Sequence, residues 1–469
     1  MCVRWSCLTF AFCAGLSFAS AADNAPKPNI IFILADDLGW GDLGCYGNPH
    51  IKTPNLDRLA AQGTIFTQFN VCSGVCSPSR TAFMTGHFPA RHGVHGHFAT
   101  HEQNAARGMP NWLDPSAPFL PRYLQSAGYA TAHFGKWHLG DGEGAPAPAE
   151  YGFDSTRTVN ANGPNWEDEK DPYFRARSSA LIADEAIQFI ERHKSQPFYI
   201  NVWSLVPHAT LNPTEEQMAP YARYNPAGQI SHKAAATIYY ASVSDLDAQI
   251  GRLLDALDEM DLARNTLVMF TSDNGPEDIY IKNASHSGVG SPGPFRGRKR
   301  SLYEGGVRMP FIVRWPGHTP ANAVDNDSVL AAVDFMPTLC ALAGAQLPEG
   351  YRADGENVAG MLAGQPRPRS TPLFWEWRFG IAGHPLNVSP ILSIRDGNWK
   401  LMLNPDRSRI ELYDIPNDPM EIGNLASAHP DVAQRLAEKA LAWQKELPEG
   451  PIAAQAGDNS YRWPKPKEK

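Results

Sequence analysis

The chain holds 469 residues, of which 43% are apolar, 10% aromatic and 19% charged, a composition that excludes a largely disordered protein and supplies one large core. Its 41 basic and 49 acidic residues leave a formal net charge of −8, so no general attraction to nucleic acid is expected. Any anionic ligand must be met by a local cluster.

In chain order, the first segment reads as a cleavable leader. Arg4 precedes an apolar run from Leu8 to Phe18, and Ala19-Ser20-Ala21 follows as an A-x-A cleavage site. The run is too short to span a bilayer, so residues 1–21 predict a secretory signal and a periplasmic or secreted protein without a membrane anchor. Asn29 to Ala35 is a continuous apolar run ending in Asp36-Asp37, the form of a strand buried on both faces of a parallel sheet. Further short strands are predicted at Ala130 to Phe134, Phe198 to Trp203, Thr266 to Thr271 and Phe311 to Arg314. Helices are predicted at Ser178 to His193 and Lys233 to Met260, the latter with Ile238, Leu246, Ile250, Leu253 and Leu257 on one face. This alternation predicts an α/β fold, a large mainly parallel central sheet flanked by helices. After the Pro-rich stretch Gln365 to Pro372 come Leu373 to Trp377, Ile391 to Arg395, Trp399 to Leu403 and Ile410 to Asp414, then a helix near Pro430 to Leu447. Those predict a smaller C-terminal α+β subdomain with a short antiparallel sheet, Asp396-Gly397 marking a hairpin. The expected division is 1–21 signal, 22–369 main α/β domain and 370–469 subdomain and tail.

Removing the leader leaves Cys45, Cys72, Cys76 and Cys340, too few for a disulfide scaffold and without the C-x-x-C pairs of a structural zinc site. Cys45 and Cys72 remain open as a disulfide pair.

Several polar clusters stand where strands end. Asp36, Asp37, Asp273 and Asn274 follow two apolar runs; they are hard oxygen donors able to converge at one sheet edge around Ca²⁺ or Mg²⁺. Taken singly, each pair reads equally as a turn or helix cap. Arg80, Lys136 and Lys299 suit an anionic group, and His138 and His208 are acid/base candidates because imidazole titrates near neutrality.

The run Cys76-Ser77-Pro78-Ser79-Arg80 has a C-x-P-x-R form, and in one order with it stand Asp36-Asp37, Gly135-Lys136-Trp137-His138-Leu139-Gly140, Pro207-His208, Ser272-Asp273-Asn274-Gly275 and Lys299 ahead of Glu304-Gly305-Gly306. With these motifs the sequence resembles the formylglycine-dependent type I sulfatases, over nearly its whole mature length. The resemblance implies the alkaline-phosphatase-like sandwich, hydrolysis of a sulfate ester, conversion of Cys76 to formylglycine by a separate maturation enzyme, and Ca²⁺ in preference to Mg²⁺. It implies Asp36, Asp37, Cys76, Asp273 and Asn274 at the metal, and Arg80 against the metal and the hydrated aldehyde. It further implies Lys136, His138, His208 and Lys299 at the substrate, Asp273 assisting the nucleophile, His208 with Lys299 protonating the leaving alcohol, and His138 deprotonating the second hydroxyl.

Two departures accompany the resemblance. Ala209-Thr210 stands where many relatives carry a proline, which predicts an altered loop with the histidine in place. Gly297-Arg298-Lys299-Arg300 carries extra charge, either a solvated flank or a wider anionic footprint. Stretches rich in His, Asn and aromatics, His95 to Trp112, Asn160 to Trp166 and Phe374 to His384, suit sugar rings. The family resemblance implies a sulfated carbohydrate as substrate, and the resemblance of the His95 to Trp112 region implies galactose or N-acetylgalactosamine sulfate. The competing readings are a phosphate or phosphonate ester hydrolase, against which Pro78 and the single-metal ligand set weigh, and a noncatalytic glycan-binding member, against which the complete residue set weighs.

Overall fold

The computed structural model describes residues 26–159, 171, 173–225, 235–281 and 286–458. The expected signal segment and the stretch Asn160 to Trp166 lie outside the described residues.

A nine-stranded sheet forms the centre of the described molecule. Its strands are β1 (Asn29–Ala35), β2 (Thr64–Asn70), β3 (Ala130–Lys136), β4 (Ser155–Val159), β5 (Phe198–Trp203), β6 (Thr266–Ser272), β7 (Arg308–Arg314), β8 (Ala323–Asp325) and β9 (Leu330–Ala331). Their order is β4-β3-β5-β1-β6-β7-β2-β8, with β9 also pairing β2. All run parallel except β7, which lies antiparallel between β6 and β2.

β1 is central because its sequence suits both faces. Ile30, Phe32 and Leu34 enter the core shared with the helices Cys76–Thr85 and Phe335–Ala343, and Phe32 packs against Phe83 and Phe335. Ile31, Ile33 and Ala35 enter the opposite core with the helices Pro54–Ala61, Phe174–His193 and Ala235–Glu259. Strand alternation produces this division. Each fully buried large apolar side chain contributes about 1.5–3 kcal/mol, which makes the carboxyl end of β1 a stiff platform.

The expected α/β sandwich is the fold observed, with a four-stranded antiparallel sheet, β10 (Leu373–Glu376), β11 (Leu392–Asp396), β12 (Trp399–Leu403) and β13 (Ile410–Asp414), in the C-terminal region. Asp396 pairs with Trp399 across a two-residue turn in which Gly397 takes φ +62°, as the hairpin reading expected. The second sheet is tied to the first by the Trp375 Nε1 bond to Val71 O (2.7 Å) and by Lys400, fully buried between Glu304 (2.8 Å) and Glu421 (2.9 Å). Cys45 and Cys72 are both free, so the disulfide left open above is not formed.

Candidate active site

All ten residues singled out from the sequence converge at the carboxyl ends of β1, β3 and β6. Cys76 opens the helix Cys76–Thr85, whose early Pro78 is tolerated because the first turn has no internal partners for its N–H groups. Arg80, one turn later, lies on the same helix face, which gives the C-x-P-x-R spacing its geometric meaning.

Consecutive strand residues point to opposite faces, so Asp36 and Asp37 would diverge if β1 simply continued. Asp37 instead adopts φ +66°, a left-handed conformation that Asp tolerates, and both carboxylates join one cluster. The Asp37 N–H donates to Asp273 Oδ1 (3.1 Å), and Asn274 Nδ2 donates to Asp37 Oδ1 (2.7 Å). Gly275 lets this loop approach its neighbour, since a Cβ there would stand 2.0 Å from Gly305 O.

Three cations oppose three carboxylates. Arg80 donates from Nε (3.1 Å) and Nη2 (2.7 Å) to Asp273 Oδ2 and from Nη1 to Lys136 O (3.0 Å), while its guanidinium lies 4.9 Å from the Trp203 ring centroid. Lys136 Nζ meets Asp36 Oδ2 at 2.6 Å, and Lys299 Nζ meets both Asp37 oxygens at 2.6 Å. Burial would raise Asp36, yet Lys136, His208, Arg80 and Lys299 together hold it well below the usual carboxylate range. Burial and the neighbouring Asp36 charge push Asp273 up despite Arg80. Burial would lower Lys299, but Asp37 and Glu277 raise it.

Asp36, Asp37 and Asp273 offer oxygens within 4.8 Å of one another. Asp36 Oδ1 and Asn274 Oδ1 are buried without a hydrogen bond, although Arg80 Nη2 stands 3.6 Å from the former. Two orphaned oxygens inside an all-oxygen donor set fit a hard divalent cation, which would also relieve the repulsion between Asp36 and Asp273.

The histidines present opposite ring nitrogens. His138, at φ +54° just past β3, places Nε2 3.2 Å from Phe98 O and Nδ1 3.1 Å from Cys76 Sγ. A carbonyl only accepts, so Nε2 carries the proton and the Nδ1 lone pair faces position 76. Burial, Lys136 and Arg80 hold His138 well below its ordinary value and keep it neutral. His208 has the reverse tautomer: Nδ1 donates to Ala209 O (2.5 Å), leaving Nε2 3.9 Å from Asp37 Oδ2. Burial and Lys299 depress its pKa, with Asp36 opposing.

Some sequence readings change. Lys136 is the last residue of β3, not a residue beyond it, because the strand continues in register to Val159 of β4. The extra arginines are neither a solvated flank nor open anion donors. Arg300 forms a two-point pair with buried Glu277 (2.5 and 3.0 Å), and Arg298 donates to Glu277 O, Gly288 O and Gly290 O. Glu277, 4.0 Å from Lys299, was not singled out, although its place three residues after Asn274 was a signal. His97, with its ring centroid 6.3 Å from that of His138 and its pKa lowered to about 3 chiefly by burial, lies in the His-rich stretch noted above.

A buried thiol at a helix N-terminus, ringed by paired cations and oxygen donors, suits an anionic ester. The Sulfatase family profile matches residues 28–345, and that described as N-sulphoglucosamine sulphohydrolase, C-terminal, matches residues 295–446. The chain belongs to the sulfatase family and is a sulfuric ester hydrolase. It is 34% identical to arylsulfatase A of Bos taurus over 84% of this chain and 77% of that one. It is also 34% identical to N-acetylgalactosamine-6-sulfatase of Sus scrofa over 79% of this chain and 72% of that one. Among solved structures, Ps i-CgsB in complex with k-i-k-neocarrahexaose superposes with TM-score 0.76 at 26% identity, over 91% of this chain and 95% of that one.

Proposed function

We propose that this sulfatase removes O-sulfate from a sulfated glycan, a galactose or N-acetylgalactosamine sulfate, using formylglycine formed from Cys76 by a maturation enzyme, with Ca²⁺ held by Asp36, Asp37, Asp273, Asn274 and residue 76. The observation that carries the reading is Cys76 Sγ, 3.1 Å from the unprotonated nitrogen of His138 at the head of the Arg80 helix. Sγ marks the place of a hydroxyl oxygen of the hydrated aldehyde. When bound, Ca²⁺ supplies positive charge to that oxygen and to the sulfate.

Asp273 accepts the proton of the attacking hydroxyl, and Arg80 keeps the carboxylate aimed. Lys136 and Lys299 neutralise the nonbridging oxygens. A sulfate monoester brings negative charge beside His208 and offsets Lys299, which favours a proton on Nε2 for transfer to the departing alcohol. His138 Nδ1 then takes the proton whose loss releases sulfate and restores the aldehyde. The sugar reading draws on the carbohydrate named with the solved relative and on the curated N-acetylgalactosamine-6-sulfatases. Residues 1–21 direct the chain to the periplasm or outside, 22–369 form the catalytic domain and 370–469 its companion; among the described residues no helix is long and apolar enough to cross a membrane.

The test is release of inorganic sulfate, against inorganic phosphate, from a panel of galactose and N-acetylgalactosamine esters. Sulfate released from one of these sugars supports the reading. Release of phosphate alone, or of sulfate only from non-sugar esters, contradicts it.

A further inference from the structure

The loop that carries His208 follows β5 without regular secondary structure until Thr214 caps the next short helix. Ahead of the histidine the loop is held by the Asp36 N–H on Val206 O (3.2 Å) and by Ser287 Oγ on Pro207 O (2.7 Å). Its ring is anchored one residue away, through Nδ1 to Ala209 O (2.5 Å), so the aim of Nε2 depends on where that peptide is held.

Arg175 holds it. The guanidinium Nη2 donates to His208 O (2.9 Å) and Ala209 O (2.8 Å), and Nε donates to Thr210 O (3.1 Å). One carbonyl, that of Ala209, therefore receives both the Arg175 fork and the His208 ring proton. Arg175 stands at the second position of the 20-residue helix Phe174–His193, which buries Ile182, Ala186, Phe189 and Ile190 in the core. The fork thus extends from a packed helix to three carbonyls of the loop that carries His208.

We propose that Arg175 is the positioning residue of His208, its fork to three consecutive carbonyls setting the direction in which Nε2 delivers a proton to the leaving oxygen. The inference rests on the reading of His208 as the acid. Lysine carries its donors on one nitrogen and lacks the second nitrogen of the planar fork, so charge and geometry can be separated.

The experiment uses substituted phenyl sulfates, from nitrophenyl to unsubstituted phenyl, with Arg175→Lys, Arg175→Gln and His208→Ala, each first checked for a wild-type-like thermal transition. The readout is the slope of log kcat/KM against leaving-group pKa. Both Arg175 variants should steepen the slope toward that of His208→Ala. Unsubstituted phenyl sulfate should lose about 10-fold to 100-fold and nitrophenyl sulfate less than about 3-fold, as expected when an acid is misplaced by about 1 Å. A steep slope for His208→Ala with a wild-type slope in the Arg175 variants overturns the positioning role alone. A wild-type slope for His208→Ala overturns the acid assignment and this inference with it. A wild-type slope in Arg175→Lys but not in Arg175→Gln shows charge instead of the fork at work and also refutes the proposal.

Discussion

Replacing Lys400 by methionine tests the electrostatics of the junction between the two sheets. Lys400 is fully buried, 2.8 Å from Glu304 and 2.9 Å from Glu421, and Arg308 adds a contact to Glu304 at 3.3 Å. Burial would raise Glu304, but Lys400 and Arg308 bring it to about 2, while burial pushes Glu421 up to about 7 against Lys400. Glu304, depressed, contributes stability that is present above the unfolded value near 4.3 and is lost as pH falls through about 2. Glu421, raised, contributes stability that is present below about 4.3 and is lost as pH rises through about 7. Methionine keeps the stem volume and removes the charge, leaving buried carboxylates short of a partner at a cost of about 3–5 kcal/mol. That corresponds to a fall in Tm on the order of 3–5 °C for a chain of this size. Without Lys400 both carboxyls move up, so the deficit should grow from pH 5, where native Glu421 already carries a proton, to pH 8. Urea and thermal unfolding at both values measure it. A deficit below about 1 kcal/mol at pH 8, or one as large at pH 5 as at pH 8, would refute the reasoning.

Three further outcomes are expected. Arg80→Lys exchanges the fork on Asp273 and Lys136 O for a point charge, and sulfate release should fall about 100-fold to 1000-fold; activity within about 3-fold of wild type would remove the fork from the mechanism. His138→Ala should release alcohol in a burst stoichiometric with enzyme and then stall, by rapid quench; steady turnover without a burst would take the deprotonation away from His138. Verified removal of metal should abolish activity, with Ca²⁺ restoring more than Mg²⁺; unchanged activity in metal-free protein would contradict the ligand set.

The sequence made the sheet and the site legible to different depths. A continuous apolar run disclosed β1, and short apolar-rich runs disclosed β3, β5 and β6, as expected of strands buried on both faces. The same logic found part of β7, as Phe311 to Arg314, but burial carries no sign of strand direction, and β7 proved antiparallel. Thr64–Asn70 was missed because Thr67 and Gln68 interrupt its apolar pattern, and Ser155–Val159 because an edge strand of mixed polarity resembles a loop. Within the site, motif residues could be named from the sequence, whereas their orientation depended on left-handed turns at Asp37 and His138. Arg175 was illegible for a different reason. Arg175 looks like any charge near a helix start, and its three carbonyl partners lie 33 to 35 residues away.

Peptide mass spectrometry across Cys76, on protein made with the maturation system and assayed in parallel for sulfate release, tests the central claim most directly. The expected result is an aldehyde at residue 76 in the active protein, with no release from Cys76→Ala despite an unchanged thermal transition. Sulfate release from protein whose residue 76 remains entirely a thiol would contradict it.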